Sequence, residues 1–270
     1  MLLKILIKPF RGDFMKYLIT ANTDIGIKKN VNQDCLSVKR IHSQHEDIVF
    51  AILCDGMGGL SKGELASSTV IRAYTDWISK CFIEIYDRIN VDIIKQQWLS
   101  ILYDQNKQLI QYGKLNNCKL GTTATIMLLM NNRYHIMNVG DTRVYVLDED
   151  IRLITRDHSL INLELERGIL TEEQARVDTR KNILYQCVGV SENVFPDFYV
   201  GNIEKDSVFL ICSDGFRNKI TNDEIYEYLN PNILSDTIIM KQNIDYLIKL
   251  NKDRNETDNI SVIAVRTYGD

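Results

Sequence analysis

Apolar and polar positions change period several times along this chain, and the changes divide it. Residues 16–22 and 36–40 follow a strand pattern on either side of a polar, turn-rich loop, residues 23–34. Residues 48–53 form an unbroken apolar run, short enough for a strand buried on both faces. It delivers Asp55, and Gly56, Gly58 and Gly59 let backbone come close to whatever that carboxylate binds. Ala66, Val70, Ala73, Trp77 and Cys81 then recur every three or four residues, and Trp98, Ile101, Leu102, Leu109 and Tyr112 repeat the pattern. Two long amphipathic helices are predicted. Strand-like runs return at 122–130, 134–139 and 144–147, separated by Asn131-Asn132 and Gly140-Asp141 turns, and read as an antiparallel meander. Residues 157–181 are polar and weakly helical with little to bury, which predicts an inserted, mobile surface subdomain. The apolar run 208–212 ends in Ser213-Asp214-Gly215, echoing Asp55-Gly56. Helical patterns at 222–229 and 240–252 precede a last strand, 260–265, directly after Asp258-Asn259. Strands, then helices, then strands again point to an α+β fold with two sheets and helices outside them.

Composition narrows the class of protein. With 270 residues, 45% hydrophobic and 25% charged, the chain fits one large domain, or one with a small insertion. Its net charge of −4 comes with dispersed Lys and Arg, so no nucleic-acid footprint is expected and a cation site is favoured. The six cysteines form no CxxC pair and several lie in apolar runs, as buried thiols do, which suits a reducing, cytoplasmic compartment. Residues 1–10 lack the long apolar stretch of a signal peptide, and no window approaches the roughly 20 apolar residues that span a bilayer. Met15 is a candidate start, leaving residues 1–14 as an extension outside the fold.

The candidate chemistry lies in five aspartates, Asp34, Asp55, Asp141, Asp214 and Asp258, each in a loop at the edge of an apolar run. Gathered at one end of two packed sheets, they would repel unless a divalent cation held them. An all-oxygen ligand set selects hard ions, magnesium or manganese, and glycine after Asp55 would let a main-chain carbonyl join them. Each aspartate taken alone is equally a turn residue, so local spacing leaves the metal reading open. Two other readings fail on particular residues. The 56–63 loop lacks the last glycine of a dinucleotide fingerprint, and no parallel βαβ unit follows it. No cysteine has an arginine at the spacing a cysteine phosphatase needs.

Taken in order, the segments Asp24-Ile25-Gly26 with 29–34, 54–59 with 63–67, 121–124, 139–143, 155–159, 212–215 and Asp258-Asn259 resemble the blocks of the metal-dependent protein phosphatases, also called protein phosphatase 2C. The resemblance covers residues 17–265 or thereabouts. It implies a four-layer α-β-β-α sandwich of two antiparallel sheets flanked by helices, with a catalytic domain over 15–270 and a flap at about 157–185. It also implies hydrolysis of phosphoserine and phosphothreonine in proteins by a water activated at a binuclear Mg2+ or Mn2+ centre. By that resemblance Asp55 bridges two core ions, the Gly56 carbonyl binds one, and Asp214 and Asp258 bind the other. Asp34 acts through coordinated water, Asp141 shares a third, weaker ion with Asp214, and Lys29 takes the substrate phosphate. Asp34, Asp55, Asp214 and Asp258 form the catalytic set. Expected partners are phosphoproteins made by a cognate Ser/Thr kinase, with no nucleic acid or membrane, the enzyme acting as a monomer; the Asp-Gly-Met-Gly-Gly form resembles bacterial members.

The departures matter as much as the matches. Lys29 stands where many members carry arginine, and lysine lacks the bidentate fork. Met57 and Leu60 stand where relatives have histidines and can donate no proton. Gln33 replaces a common acid. The Arg-Asn pair of the family's flap is matched only loosely, by Arg180-Lys181-Asn182, and His158 is assigned to structure or the flap. A catalytically dead fold kept as a phosphoprotein-binding module is the competing function, and the presence of all five acids argues against it.

Overall fold

The computed structural model describes residues 15–43, 46–57, 62–180 and 182–269. The expectations for residues 1–14, Leu60 and Lys181 fall outside those residues. The apolar run forms β3 (Asp47–Cys54), in which every residue after the first is buried. Such a strand has to be covered on both faces, and its alternating side chains enter two different cores. Ile48, Phe50, Ile52 and Cys54 pack with Val70, Tyr74 and Trp98 of helices α1 (Gly63–Asp76) and α3 (Val91–Leu115). Val49, Ala51 and Leu53 face the other way, toward Val144, Phe209 and Ile263 of a second sheet.

The two sheets are five-stranded and antiparallel. One runs β2 (Cys35–His42), β3, β4 (Ala124–Met130), β5 (Arg133–Val139), β8 (Asp197–Asn202). The other runs β1 (Lys16–Asp24), β10 (Ile260–Tyr268), β9 (Val208–Cys212), β6 (Arg143–Leu147), β7 (Ile151–Leu153). On the outer face of this second sheet, Val208, Leu210 and Val262 meet Ile225 and Leu229 of α7 (Asn222–Leu229) and Ile244 and Leu247 of α8 (Thr237–Asp253). The result is the α-β-β-α sandwich.

The long helices take their bounds from local chemistry. The Asn90 side chain accepts from Ile93 N–H at 3.0 Å and caps α3, and Asp236 accepts from Ile238 and Ile239 N–H at 2.8 and 2.9 Å to start α8. α1 runs on through a π turn, Trp77–Cys81, into α2 (Phe82–Ile85). There Trp77 meets Trp98 edge-on at 5.8 Å, tying the two helices together.

The predicted single meander is corrected. β4 and β5 form a hairpin in one sheet, but the chain then crosses at Gly140 and Asp141, so β6 belongs to the other. Gly140 adopts φ +106°, which permits the crossing. Strands of both sheets are equally apolar, so hydropathy does not distinguish them. β7 and β8 are sheet-edge strands whose half-exposed, polar-interrupted sequences lack a strand pattern. The 157–181 stretch carries two short helices, α4 (Leu160–Glu166) and α5 (Glu172–Val177), each with one buried residue, Ile161 and Ala175.

Candidate metal centre

Strand register brings the acidic loops to one end of the sandwich. Asp24 pairs with Ile260, Cys35 with Cys54, and Cys212 with both Val262 and Arg143. Asp34, Asp55, Asp141, Asp214 and Asp258 each lie within two residues of one of those paired positions. All five aspartates singled out by sequence thus meet at the same edge, drawn from both sheets.

Asp55 is clamped by the 121–123 segment. Its N–H donates to Thr123 Oγ1 at 2.8 Å, and its carbonyl accepts from Thr123 N–H and Thr122 Oγ1, each at 2.9 Å. Thr123 Oγ1 also meets Thr142 Oγ1 at 2.8 Å, which couples Asp55 to the Asp141 loop. Gly56 N–H donates to the Gln33 carbonyl at 3.2 Å, and Ser67 Oγ donates to the same carbonyl at 2.7 Å. A Cβ on Gly56 would lie 2.5 Å from the Gly63 carbonyl oxygen and 2.6 Å from that of Gln33. Three chain segments cross there, and only glycine fits.

The loop carrying Lys29 and Asp34 is pinned by Asn259, the residue just before β10. Asn259 Nδ2 donates to the carbonyls of Ile25 at 2.9 Å and Val31 at 3.3 Å, and its Oδ1 accepts from Gln33 N–H at 2.9 Å. Gly26, at φ +78°, passes so close to Asp258 that a Cβ would sit 2.2 Å from its carbonyl oxygen. Lys29 Nζ lies 2.7 Å from Asp258 Oδ1. Burial works against the Lys29 charge, but Asp258, Asp55 and Asp214 outweigh it and raise its pKa. The predicted phosphate ligand is therefore at the centre, paired with one of its acids.

The electrostatics are those of acids crowded out of water. Asp34 is pushed up to about 6, first by burial and further by Asp214 and Asp258, against the hydroxyls of Ser261 and Ser213. Asp55 is raised well above the ordinary range by burial and then by the other four aspartates. Asp141 is pushed up to about 7 by burial and Asp214, with Arg217 opposing. Asp214 is raised by burial and Asp258, again against Arg217. Among the described residues no three acid, His or Cys side chains close on one point as a single-ion cage would. Like charges spread when uncompensated, and Asp258 is turned onto Lys29.

A hard divalent cation fits this donor set. Asp34 is 8% exposed, and its Oδ2 is buried without a hydrogen-bond partner. A buried carboxylate oxygen left in that state calls for a cation or its water. Asp55, the Gly56 carbonyl, Asp34, Asp214 and Asp258 are the residues able to hold it.

The departures noted in the sequence take definite positions. Met57 N–H donates to the Gly121 carbonyl at 3.0 Å, and its side chain packs over that glycine, with no proton to give. His158 is fully buried, accepting from Gly140 N–H through Nδ1 at 3.3 Å and meeting Asp197 through Nε2 at 3.2 Å, so it serves structure. Arg180 is held by Glu164 and Asp178, each at 2.7 Å. Asn182 lines a cleft of about 340 Å³ with Asp141, Asp214 and Arg217.

Sequence reasoning missed Arg217, Asn259's triple role and the 122–123 clamp. Arg217 had a local signal: it follows Asp214 by three residues in the short helix α6 (Asp214–Arg217), a spacing that puts both on one face.

A family model described as protein phosphatase 2C matches residues 27–235. The serine/threonine phosphatase stp of Listeria monocytogenes is 30% identical over 250 residues, covering 90% of this chain and 93% of that protein. The structure of the Streptococcus agalactiae serine/threonine phosphatase superposes with a TM-score of 0.81 at 28% identity, covering 94% of this chain and all of that one. The catalytic domain of the phosphatase PstP, solved with two manganese ions, shares the fold with a TM-score of 0.73 at 22% identity over 94% of this chain and 99% of its own.

Proposed function

This chain belongs to the protein phosphatase 2C family, and on that premise we propose that it is a serine/threonine protein phosphatase working through a binuclear Mg2+ or Mn2+ centre. The observation that carries the reading is the meeting of five buried or half-buried aspartates from both sheets at one edge, with Asp34 Oδ2 lacking any partner. Asp55 and the Gly56 carbonyl, with Asp34, Asp214 and Asp258, would hold the ions. When bound, such a pair would supply Lewis acidity and a nucleophilic water at neutral pH.

The chain's own groups do the rest. Lys29, held by Asp258 at 2.7 Å, would offer the substrate phosphate a point charge rather than a fork. The clamps from Thr122, Thr123 and Asn259 hold the ligand loops in register, so little reorganisation is left for the reaction. The flap, at about 157–185, borders the cleft and touches the substrate protein. With Met57 where relatives have a histidine, either water at the centre protonates the leaving serine oxygen or that step is weaker here.

Phosphoproteins are the substrates, and a Ser/Thr kinase acting on the same proteins is the counterpart. We take the enzyme to be monomeric and cytoplasmic; its six cysteines are free, as a reducing compartment keeps them. The test is Mn2+-dependent release of p-nitrophenol from its phosphate ester, expected to fall about 100-fold or more in Asp214→Asn. A folded, Mn2+-saturated protein inactive on this ester and on phosphopeptides would instead be a phosphoprotein-binding module.

A further inference from the structure

The cleft beside Asp141 and Asp214 also receives the side chains of Arg143, Asp157 and Arg217. Arg143 is committed to Asp157, donating from Nε at 2.9 Å and from Nη2 at 2.7 Å. Arg217 is placed differently. Its Nη2 donates to the main-chain carbonyl of Asp141 at 3.1 Å and lies 3.7 Å from both the Asp141 and Asp157 carboxylates. That is too far for a hydrogen bond to either carboxylate and close enough for strong attraction in a poorly hydrated site. The side chain is 14% exposed and its Nε has no partner.

One guanidinium thus stands between the Asp141 and Asp157 carboxylates, on the helical turn that also carries Asp214. Asp141 and Asp214 are the pair to which the family resemblance assigns a third, weaker ion. A cation arriving there would have to displace Arg217 or sit against a like charge. The guanidinium cannot lose its charge by deprotonation. It is delivered by the same helical turn that carries Asp214, so no separate element has to bring it.

We infer that Arg217 takes the electrostatic place of the third ion, so that this chain works with two ions and neutralises Asp141 with a cation of its own. Through Asp157 the same side chain ties the centre to the residues that lead into α4. Arg217 is in this sense a positioning residue. The inference rests on the metal reading of the centre.

Counting Mn2+ by equilibrium dialysis tests it without relying on activity. Wild type and Asp141→Asn are expected to bind about two ions per chain. Arg217→Gln is expected to gain a weaker third ion, lost again when Asp141→Asn is added. About three ions in the wild type, falling to two in Asp141→Asn, would overturn the role of Arg217 while keeping the metal centre. A folded Arg217→Gln without the extra ion would also overturn it. No bound ion in the wild type would remove the centre itself, and this inference with it. If Arg217→Gln does not fold, wild type against Asp141→Asn still decides.

Discussion

Burial, and then neighbouring acids, push Asp34 up to about 6 and Asp141 up to about 7. An unfolded chain has these groups near 4. Between the two values the folded protein binds more protons than the unfolded one, so the stability of the metal-free protein falls as pH rises. Chelated protein is expected to melt at a higher temperature near pH 5.5 than near pH 8, and added Mn2+ to raise Tm more at the higher pH. Thermal scans in EDTA and in Mn2+ check this, and a metal-free Tm that climbs from about pH 5.5 to about 8 contradicts it. Lys29 makes a second prediction at this scale. Its amine is paired with Asp258 at 2.7 Å yet stands among the acids that would bind cations. Lys29→Ala should raise KM for a phosphopeptide at least as much as it lowers kcat, and Lys29→Arg should recover most of the loss. Unchanged steady-state kinetics in Lys29→Ala would remove this residue from the site.

Elements matter here through their ends. Each acid stands beside one end of a strand, and side chains from other segments help to hold the loops in place. Asn259 is 3% exposed and makes three hydrogen bonds to the backbone of the Lys29–Asp34 loop and its approach. Removing it takes these partners from the Ile25 and Val31 carbonyls and the Gln33 N–H. Asn259→Ala is expected to cost about 1–3 kcal/mol of stability and about 10–100-fold in Mn2+ affinity. Chemical denaturation and calorimetric titration measure the two effects separately. A loss of stability with unchanged Mn2+ affinity would mean that Asn259 serves the fold alone. The short helix α6 follows the same logic: a single turn presents both Asp214 and Arg217 to the centre.

For the molecule as a whole, the sandwich separates support from chemistry. Trp98 lies in the outer core, fully buried and edge-on to Trp77, packed against the face of β3 that points away from the second sheet. Trp98→Ala should cost about 3–5 kcal/mol in urea denaturation, while the folded protein keeps its Mn2+ stoichiometry. A change in ion count would mean that the outer core transmits strain to the acid loops. Much of this architecture was legible in the chain. Period and unbroken apolar runs marked α1, α3, α7, α8 and eight of the ten strands among the described residues, because both are set locally by the residues within each element. The five acids were also legible, since an Asp at the end of an apolar run is a local feature. Sheet membership was not: β6 and β5 are equally apolar, and the crossing at Gly140 depends on which partner each strand finds. β7 and β8 were missed because sheet-edge strands need bury little.

By itself, the sequence determined most of the strands and the longer helices, which acids flank them, and that a cation could be held by oxygen alone. Tertiary structure alone decided that Asn259 pins the Lys29 loop, that Thr123 joins Asp55 to the Asp141 turn, and that Lys29 faces Asp258. It also decided that a guanidinium three residues after Asp214 comes to stand beside Asp141. Period and turn chemistry are encoded within a few neighbouring residues, whereas these contacts join positions far apart in the chain and exist only once both sheets have paired and packed.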